Sequence, residues 1–157
     1  MINIRKAVIN DLVKIKKIDA LAFKNDSYPI FVLRQYFDIS GDYLLVAEEN
    51  NEIIGYTIGN LIAKTSQGWI LSLGVHPKSR GKKIGGSLTK KLLTLLEKNN
   101  SKEVFLTVHP QNKSDIRIYQ ELGFEEVGKS DNYYFDEEKR IIMKKKATGK
   151  ELKNKTQ

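Results

Sequence analysis

From Leu73 to Gly86 the chain passes from an apolar run through a basic, glycine-rich turn and into a long amphipathic segment. Leu73-Gly74-Val75 closes a strand-like stretch and His76-Pro77 breaks it. Arg80-Gly81-Lys82-Lys83-Ile84-Gly85-Gly86 then leads into a helix predicted from Ile84 to Lys98. The first turn of a helix carries N–H groups with no intrahelical partner and a partial positive charge, so it attracts anions. Glycines let a ligand come close to the backbone. The unit is suited to holding a diphosphate. Two familiar phosphate loops are excluded. A nucleotide P-loop needs Lys and Ser/Thr directly after its last glycine, whereas Gly86 is followed by Ser87 and Leu88. A dinucleotide fingerprint needs three glycines at fixed offsets in a βαβ unit, which this spacing does not give.

A second segment follows the first. Glu103 to Val108 is rich in β-formers, and after it come Asn112, Tyr119 and Gly123-Phe124, with a helix expected from about Ser114 to Leu122. Ile118, Tyr119 and Leu122 fall on one face of that helix. A lone tyrosine at helical spacing is ordinarily a core aromatic. Both segments together resemble the GNAT acetyltransferases: the turn matches their Arg/Gln-x-x-Gly-x-Gly/Ala signature, and the strand, Asn, Tyr, Gly-Phe order matches the second half of their cofactor site. One departure is Lys83, which stands where the signature has its middle glycine. The resemblance covers about Ile2 to Lys145. It implies acetyl-CoA as cosubstrate, bound by Leu73, Gly74, Val75 and Arg80 through Gly86, with Asn112 on the pantetheine arm and Tyr119 as general acid near the thioester sulfur.

Within that superfamily the chain is most similar to the N-terminal protein acetyltransferases, the ribosomal-protein alanine type and its archaeal relatives. Tyr28-Pro29 follows the first helix where those enzymes place an aromatic-proline pair, and Tyr133-Tyr134 matches the pair that closes over the substrate backbone. The resemblance therefore implies a peptide N-terminus as acceptor, bound by Tyr28, Pro29, Tyr133 and Tyr134. The base differs. Where the alanine type carries a glutamate this chain has Thr107, and where some relatives carry a tyrosine it has Trp69. Neither accepts a proton usefully at neutral pH. Asp26, where archaeal relatives carry an acid, becomes the leading base, acting through water; His109, on the same strand face as Thr107, is second. An α-amino group with a pKa of about 8 is about a tenth neutral at pH 7, while a lysine near 10.4 costs roughly 3.5 kcal/mol more to deprotonate. A weak base is thus best tolerated on N-termini.

The bulk properties set the remaining bounds. At 157 residues the chain suits one domain with a real core. It has no apolar stretch of membrane-spanning length and no signal-peptide pattern, so a cytoplasmic protein without membrane attachment is expected. Without cysteine there is no acyl-Cys intermediate, and transfer must be direct. His76 and His109 have no partner at metal-ligand spacing, so no metal is expected. The net charge is +8, and from Lys144 onward there are six lysines against Glu151. Residues 146–157 are therefore expected to be a basic, disordered tail following a 1–145 domain. Through it the chain would make at most weak, salt-sensitive contacts with ribosomes or nucleic acid, since no aromatics interleave the lysines.

The order of elements predicts an α/β fold, a single GNAT-like domain with a mixed, mostly antiparallel sheet flanked by helices. Ile2 to Arg5 alternates as a strand, and Asn10 or Asp11 is placed to cap a helix carrying Leu12, Ile15, Ile18 and Ala22. Phe23 to Pro29 reads as a loop and Phe31 to Phe37 as a helix. Tyr43 to Glu48 and Glu52 to Ile62 form a hairpin about Asn50-Asn51. Trp69 to Val75 and Val104 to Val108 are strands, and Tyr133 to Phe135 with Arg140 to Lys144 a last hairpin. Ile84, Leu88, Leu92, Leu95 and Leu96 should form one buried stripe opposite Lys90, Lys91 and Lys98. The pattern leaves monomer and homodimer open. It also leaves three other functions open: a small-molecule amine acetyltransferase, a lysine acetyltransferase, and an acyl-CoA-binding module without turnover.

Overall fold

The computed structural model describes residues 1–149. Its strands are β1 Ile2–Lys6, β2 Leu44–Glu49, β3 Glu52–Ile62, β4 Gln67–Val75, β5 Glu103–Val108, β6 Glu125–Ser130 and β7 Arg140–Lys146, joined in one sheet in the order β1-β2-β3-β4-β5-β7-β6. β1 with β2, β2 with β3, β5 with β7 and β6 with β7 are antiparallel, while β4 runs parallel to β5 over Gln67–Ile70 and Glu103–Leu106. The α-helices are α1 Leu12–Phe23, α2 Ile30–Ser40, α3 Ile84–Lys98 and α4 Lys113–Glu121. This is the expected mixed, mostly antiparallel sheet with flanking helices. No helix among the described residues is long and apolar enough to cross a membrane.

The chain divides into two compact units, Met1–Gly59 with Leu71–Leu92, and Asn60–Ile70 with Leu93 onward. In the first, Leu12, Ile15 and Ile18 of α1 bury with Leu44, Val46, Ile53, Tyr56 and Ile58 of the β2–β3 hairpin, and Leu33 of α2 joins them. β3 is covered on both faces from Ile53 to Gly59, so it reads as a continuous apolar run rather than an alternation. Gly55 makes room for α3: a Cβ there would stand 3.1 Å from both Ile84 and Leu88. In the second unit β5 alternates, burying Val104, Leu106 and Val108, and Trp69 stacks on Phe105 at 5.3 Å.

Several local expectations change. The last hairpin is made by β6 and β7, with Tyr133 to Phe135 in the turn between them. β6 is an edge strand and mostly exposed, so nothing imposes an apolar alternation on it. The aromatic triplet carries β propensity, yet Phe135 takes a left-handed φ of 60° that no strand allows. Asp11 stands at the start of α1 without capping it; its carboxylate accepts the Val8 N–H at 2.8 Å and pairs with Arg5 at 2.8 Å. Along α3 the buried stripe is Ile84, Leu88, Leu92, Leu93 and Leu96, and Leu95 is only half-buried. The stretch read as a loop from Phe23 to Pro29 holds a single 3-10 turn, Lys24–Asp26. β7 continues to Lys146, and Ala147 and Thr148 still bond to Lys102 and Glu97. The rest of the expected tail, from Lys150, lies outside the described residues.

Candidate active site

In the first unit, β4 delivers the chain to the basic turn and α3 leaves it. Gly81 has φ 83° and Lys83 φ 61°, so the lysine at the signature's glycine position adopts the backbone conformation that glycine supplies without strain. The Lys83 carbonyl accepts both the N–H and the hydroxyl of Ser87, at 3.1 and 3.0 Å, and starts α3. Ile84, Gly85 and Gly86 thus form a first turn whose amides have no intrahelical acceptor. A Cβ on Gly81 or on Gly86 would meet nothing within 4 Å, which leaves open space above the amides. Lys82 is tied to Glu49 at 3.1 Å, while Arg80 and Lys83 stay exposed. Shape, room and charge all fit a diphosphate.

Tyr28 follows α1 and is fixed at several points. Its N–H donates to Asp19 at 2.6 Å, its carbonyl accepts from Lys16 at 2.6 Å, and its hydroxyl donates to the Leu71 carbonyl of β4 at 3.3 Å. Its ring meets Tyr36 of α2 edge-on at 5.4 Å. Pro29, exposed, is the N-cap residue of α2. Asp26 is exposed in the 3-10 turn just before this segment. Asp19 itself is fully buried and also accepts the Tyr56 hydroxyl. Tyr56 lies 3.0 Å from the Ser72 hydroxyl, and burial, then the Asp19 charge, push its phenol pKa far upward.

In the second unit, Asn112 caps α4: its side-chain oxygen accepts the Asp115 N–H and its amide donates to the Asp115 carboxylate. The helix ends in a Schellman motif. Phe124 N–H returns to the Tyr119 carbonyl at 2.9 Å, Gly123 N–H to that of Gln120 at 3.0 Å, and Gly123 takes φ 96°. The apolar contact of that motif is the Tyr119–Phe124 ring pair at 5.7 Å. Tyr-x-x-x-Gly-Phe is therefore also the spacing that terminates a helix and seats the tyrosine ring. Burial, reinforced by the Asp115 charge, raises the Tyr119 phenol pKa. None of the described hydrogen bonds reaches the Tyr119 hydroxyl, and the residue as a whole is buried.

The turn between β6 and β7 is fastened once to β5 and once to the residue that follows it. Tyr134 and Thr107 share a hydroxyl contact of 2.6 Å, and Glu138 meets His109 Nε2 at 3.0 Å. Tyr133 packs edge-on against Tyr134 at 4.8 Å, with the Arg140 guanidinium over the Tyr134 ring. His109 Nδ1 accepts the Gln111 N–H at 3.1 Å, which places the ring proton on Nε2, toward Glu138.

The model of the acetyltransferase (GNAT) family matches residues 10–124. The chain belongs to this family. An uncharacterised N-acetyltransferase of Methanocaldococcus jannaschii is 31% identical to this GNAT chain over 144 residues, 91% of the chain and 90% of the relative. An N-alpha-acetyltransferase of Sulfolobus acidocaldarius is 26% identical over 151 residues, 89% of each. Among solved structures, a NatC complex bound to Gag peptide and CoA shares the fold at a TM-score of 0.86 and 20% identity, covering 94% of this chain and 99% of that one. The resemblance to N-acetyltransferases of archaeal type is borne out, and the chain is an acetyltransferase of GNAT type.

The resemblance pointed to the turn, Asn112, Tyr119, Tyr28-Pro29 and Tyr133-Tyr134. It missed Asp19 and Tyr56, although a signal was present. Asp19 follows Ile18 and lies four residues after Ile15, so an acid sits on the apolar stripe of α1, and a carboxylate there needs donors.

Proposed function

We propose that this acetyltransferase moves the acetyl group of acetyl-CoA directly to the N-terminal α-amino group of a protein or peptide. The observation that carries this reading is Tyr28, held at its amide, carbonyl and hydroxyl beside β4, at the position where the N-terminal acetyltransferases meet the peptide. Similarity to the archaeal N-alpha-acetyltransferase over nine-tenths of both chains supports it.

Bound acetyl-CoA supplies an activated acyl group and a thiolate leaving group. Arg80 and the amides from Gly81 to Gly86 hold its diphosphate, backbone amides of Leu73, Gly74 and Val75 orient its thioester, and Asn112 meets the pantetheine arm. Tyr28 and Pro29, with Tyr133 and Tyr134, bind the first residues of the peptide. Asp26 takes the proton of the incoming ammonium through water. His109 is the second candidate, because its one lone pair already accepts the Gln111 N–H. Thr107, at the position of the family's glutamate, is occupied in anchoring Tyr134. Tyr119, kept protonated by burial, gives its proton to the departing sulfur. The C–N bond formed is matched by the C–S bond broken; of the two protons the ammonium loses in becoming an amide, one leaves through water toward Asp26 before attack, and the second, lost as the tetrahedral intermediate collapses, balances the proton that Tyr119 gives to the sulfur.

Thiol release from acetyl-CoA tests the reading with peptides varied at their first two residues, N-blocked lysine peptides and spermidine. Turnover confined to free N-termini is the expected result. Turnover on lysine peptides or spermidine alone would reassign the acceptor, and CoA binding without turnover on any amine would overturn the reaction.

A further inference from the structure

Tyr28 is positioned by a carboxylate that no step above uses. We infer that Asp19 is a positioning residue for the acceptor, setting where Tyr28 stands relative to β4; this rests on the reading that Tyr28 binds the peptide. Asp19 is fully buried in α1, and its two oxygens serve two different parts of the fold. Oδ2 takes the Tyr28 N–H at 2.6 Å, and Oδ1 takes the Tyr56 hydroxyl. Tyr56 reaches β4 in two ways. Its oxygen is 3.0 Å from Ser72 Oγ, and its ring lies so close over Gly74 that a Cβ there would come within 2.5 Å of it. One carboxylate therefore links the Tyr28 segment to the strand that carries Ser72 and Gly74.

An acid on the apolar stripe of a helix costs free energy unless each lone pair is used. Here the cost is met by the Tyr28 amide and by the Tyr56 hydroxyl of β3, which in turn contacts Ser72 of β4, and Lys16 completes the clamp from the carbonyl side, at 2.6 Å from the Tyr28 oxygen and 3.0 Å from Ser27 Oγ. Removing the carboxylate takes away the Asp19 oxygen that accepts the Tyr28 N–H and lets the segment shift. An asparagine does not have that effect. Its oxygen can accept the Tyr28 N–H while its amide donates to Tyr56, whose hydroxyl turns to donate to Ser72.

The test compares Asp19→Ala, Asp19→Asn and Lys16→Met in the full chain. The readouts are the KM of the best amine, kcat, CoA affinity by calorimetry, and exchange of the Tyr28 amide hydrogen. Asp19→Ala should raise the amine KM at least tenfold and speed Tyr28 exchange, with CoA affinity within twofold of wild type. Asp19→Asn should come back to within threefold of wild type. Lys16→Met, half-buried and outside the core, should raise the amine KM about threefold and provides the same test if Asp19→Ala does not fold. An unchanged amine KM in the folded variants, an equal loss of CoA affinity, or an Asp19→Asn as defective as Asp19→Ala would overturn the inference while the wild type remains active. A wild type that acetylates no amine would instead remove the proposed function, and this inference with it.

Discussion

Tyr119→Phe removes one oxygen and keeps the ring, so it separates chemistry from packing. The ring is buried and paired edge-on with Phe124 at 5.7 Å, a contact that phenylalanine preserves. The hydroxyl meets none of the described hydrogen-bond partners, so the stability change should stay within about 0.5 kcal/mol. A positioned general acid is worth about 10²–10⁴ in rate, or about 2.7–5.4 kcal/mol of barrier at roughly 1.36 kcal/mol per tenfold. The kcat of thiol release should fall by that factor, with CoA affinity and melting temperature unchanged. The pH dependence is fixed by sign. Burial and then the Asp115 charge raise the phenol pKa, so the group stays protonated above its ordinary value of about 10. The ratio of wild-type to variant kcat should accordingly be flat from about pH 6 to 9. A fall of less than about fivefold would refute the role of Tyr119 as acid, and a melting temperature that drops in parallel with kcat would show that the oxygen was structural.

Lys83→Gly removes a side chain from a left-handed backbone position, a relief of about 1–2 kcal/mol set against about 0.5–1 kcal/mol of extra chain entropy. A net gain of about 0.5 kcal/mol should appear in thermal unfolding. The lost cation should weaken CoA binding at low salt, and calorimetry at two ionic strengths should show the difference closing at high salt. Thr107→Val frees the Tyr134 hydroxyl from its 2.6 Å contact; peptide KM should rise about fivefold, consistent with one hydrogen bond of about 1 kcal/mol, while CoA affinity holds. For Asp11, burial alone would raise the pKa, but the Arg5 hydrogen bond, the Val8 N–H and the Arg5 charge together carry it below the usual carboxylate range. Its stabilising contribution is therefore present above the unfolded value of about 3.9 and lost as pH falls through the lower folded value. Asp11→Ala should cost about 3 kcal/mol at pH 7 in denaturant unfolding, and the gap from wild type should narrow below about pH 4.

The amino-acid sequence by itself determined what depends on neighbours a few residues away. Ile84 to Lys98 is a helix because its apolar residues recur every three or four positions, and Gly123-Phe124 ends α4 because a left-handed residue and a C-terminal apolar contact are local requirements. The β2–β3 hairpin follows from Asn50-Asn51, both of which take positive φ. Those signals were enough for the family. The tertiary structure alone decided the partners of polar groups. Asp11 could equally cap a helix or pair with Arg5, and Tyr133-Tyr134 could equally lie in a strand or a turn; the pairing of buried Asp11 with half-buried Arg5 and the anchoring of Tyr134 on Thr107 chose between them. Asp19 is the clearest case. Its donors come from residues 9 and 37 positions away, and a pairing over that distance is fixed by how a helix packs on a sheet rather than by any local period.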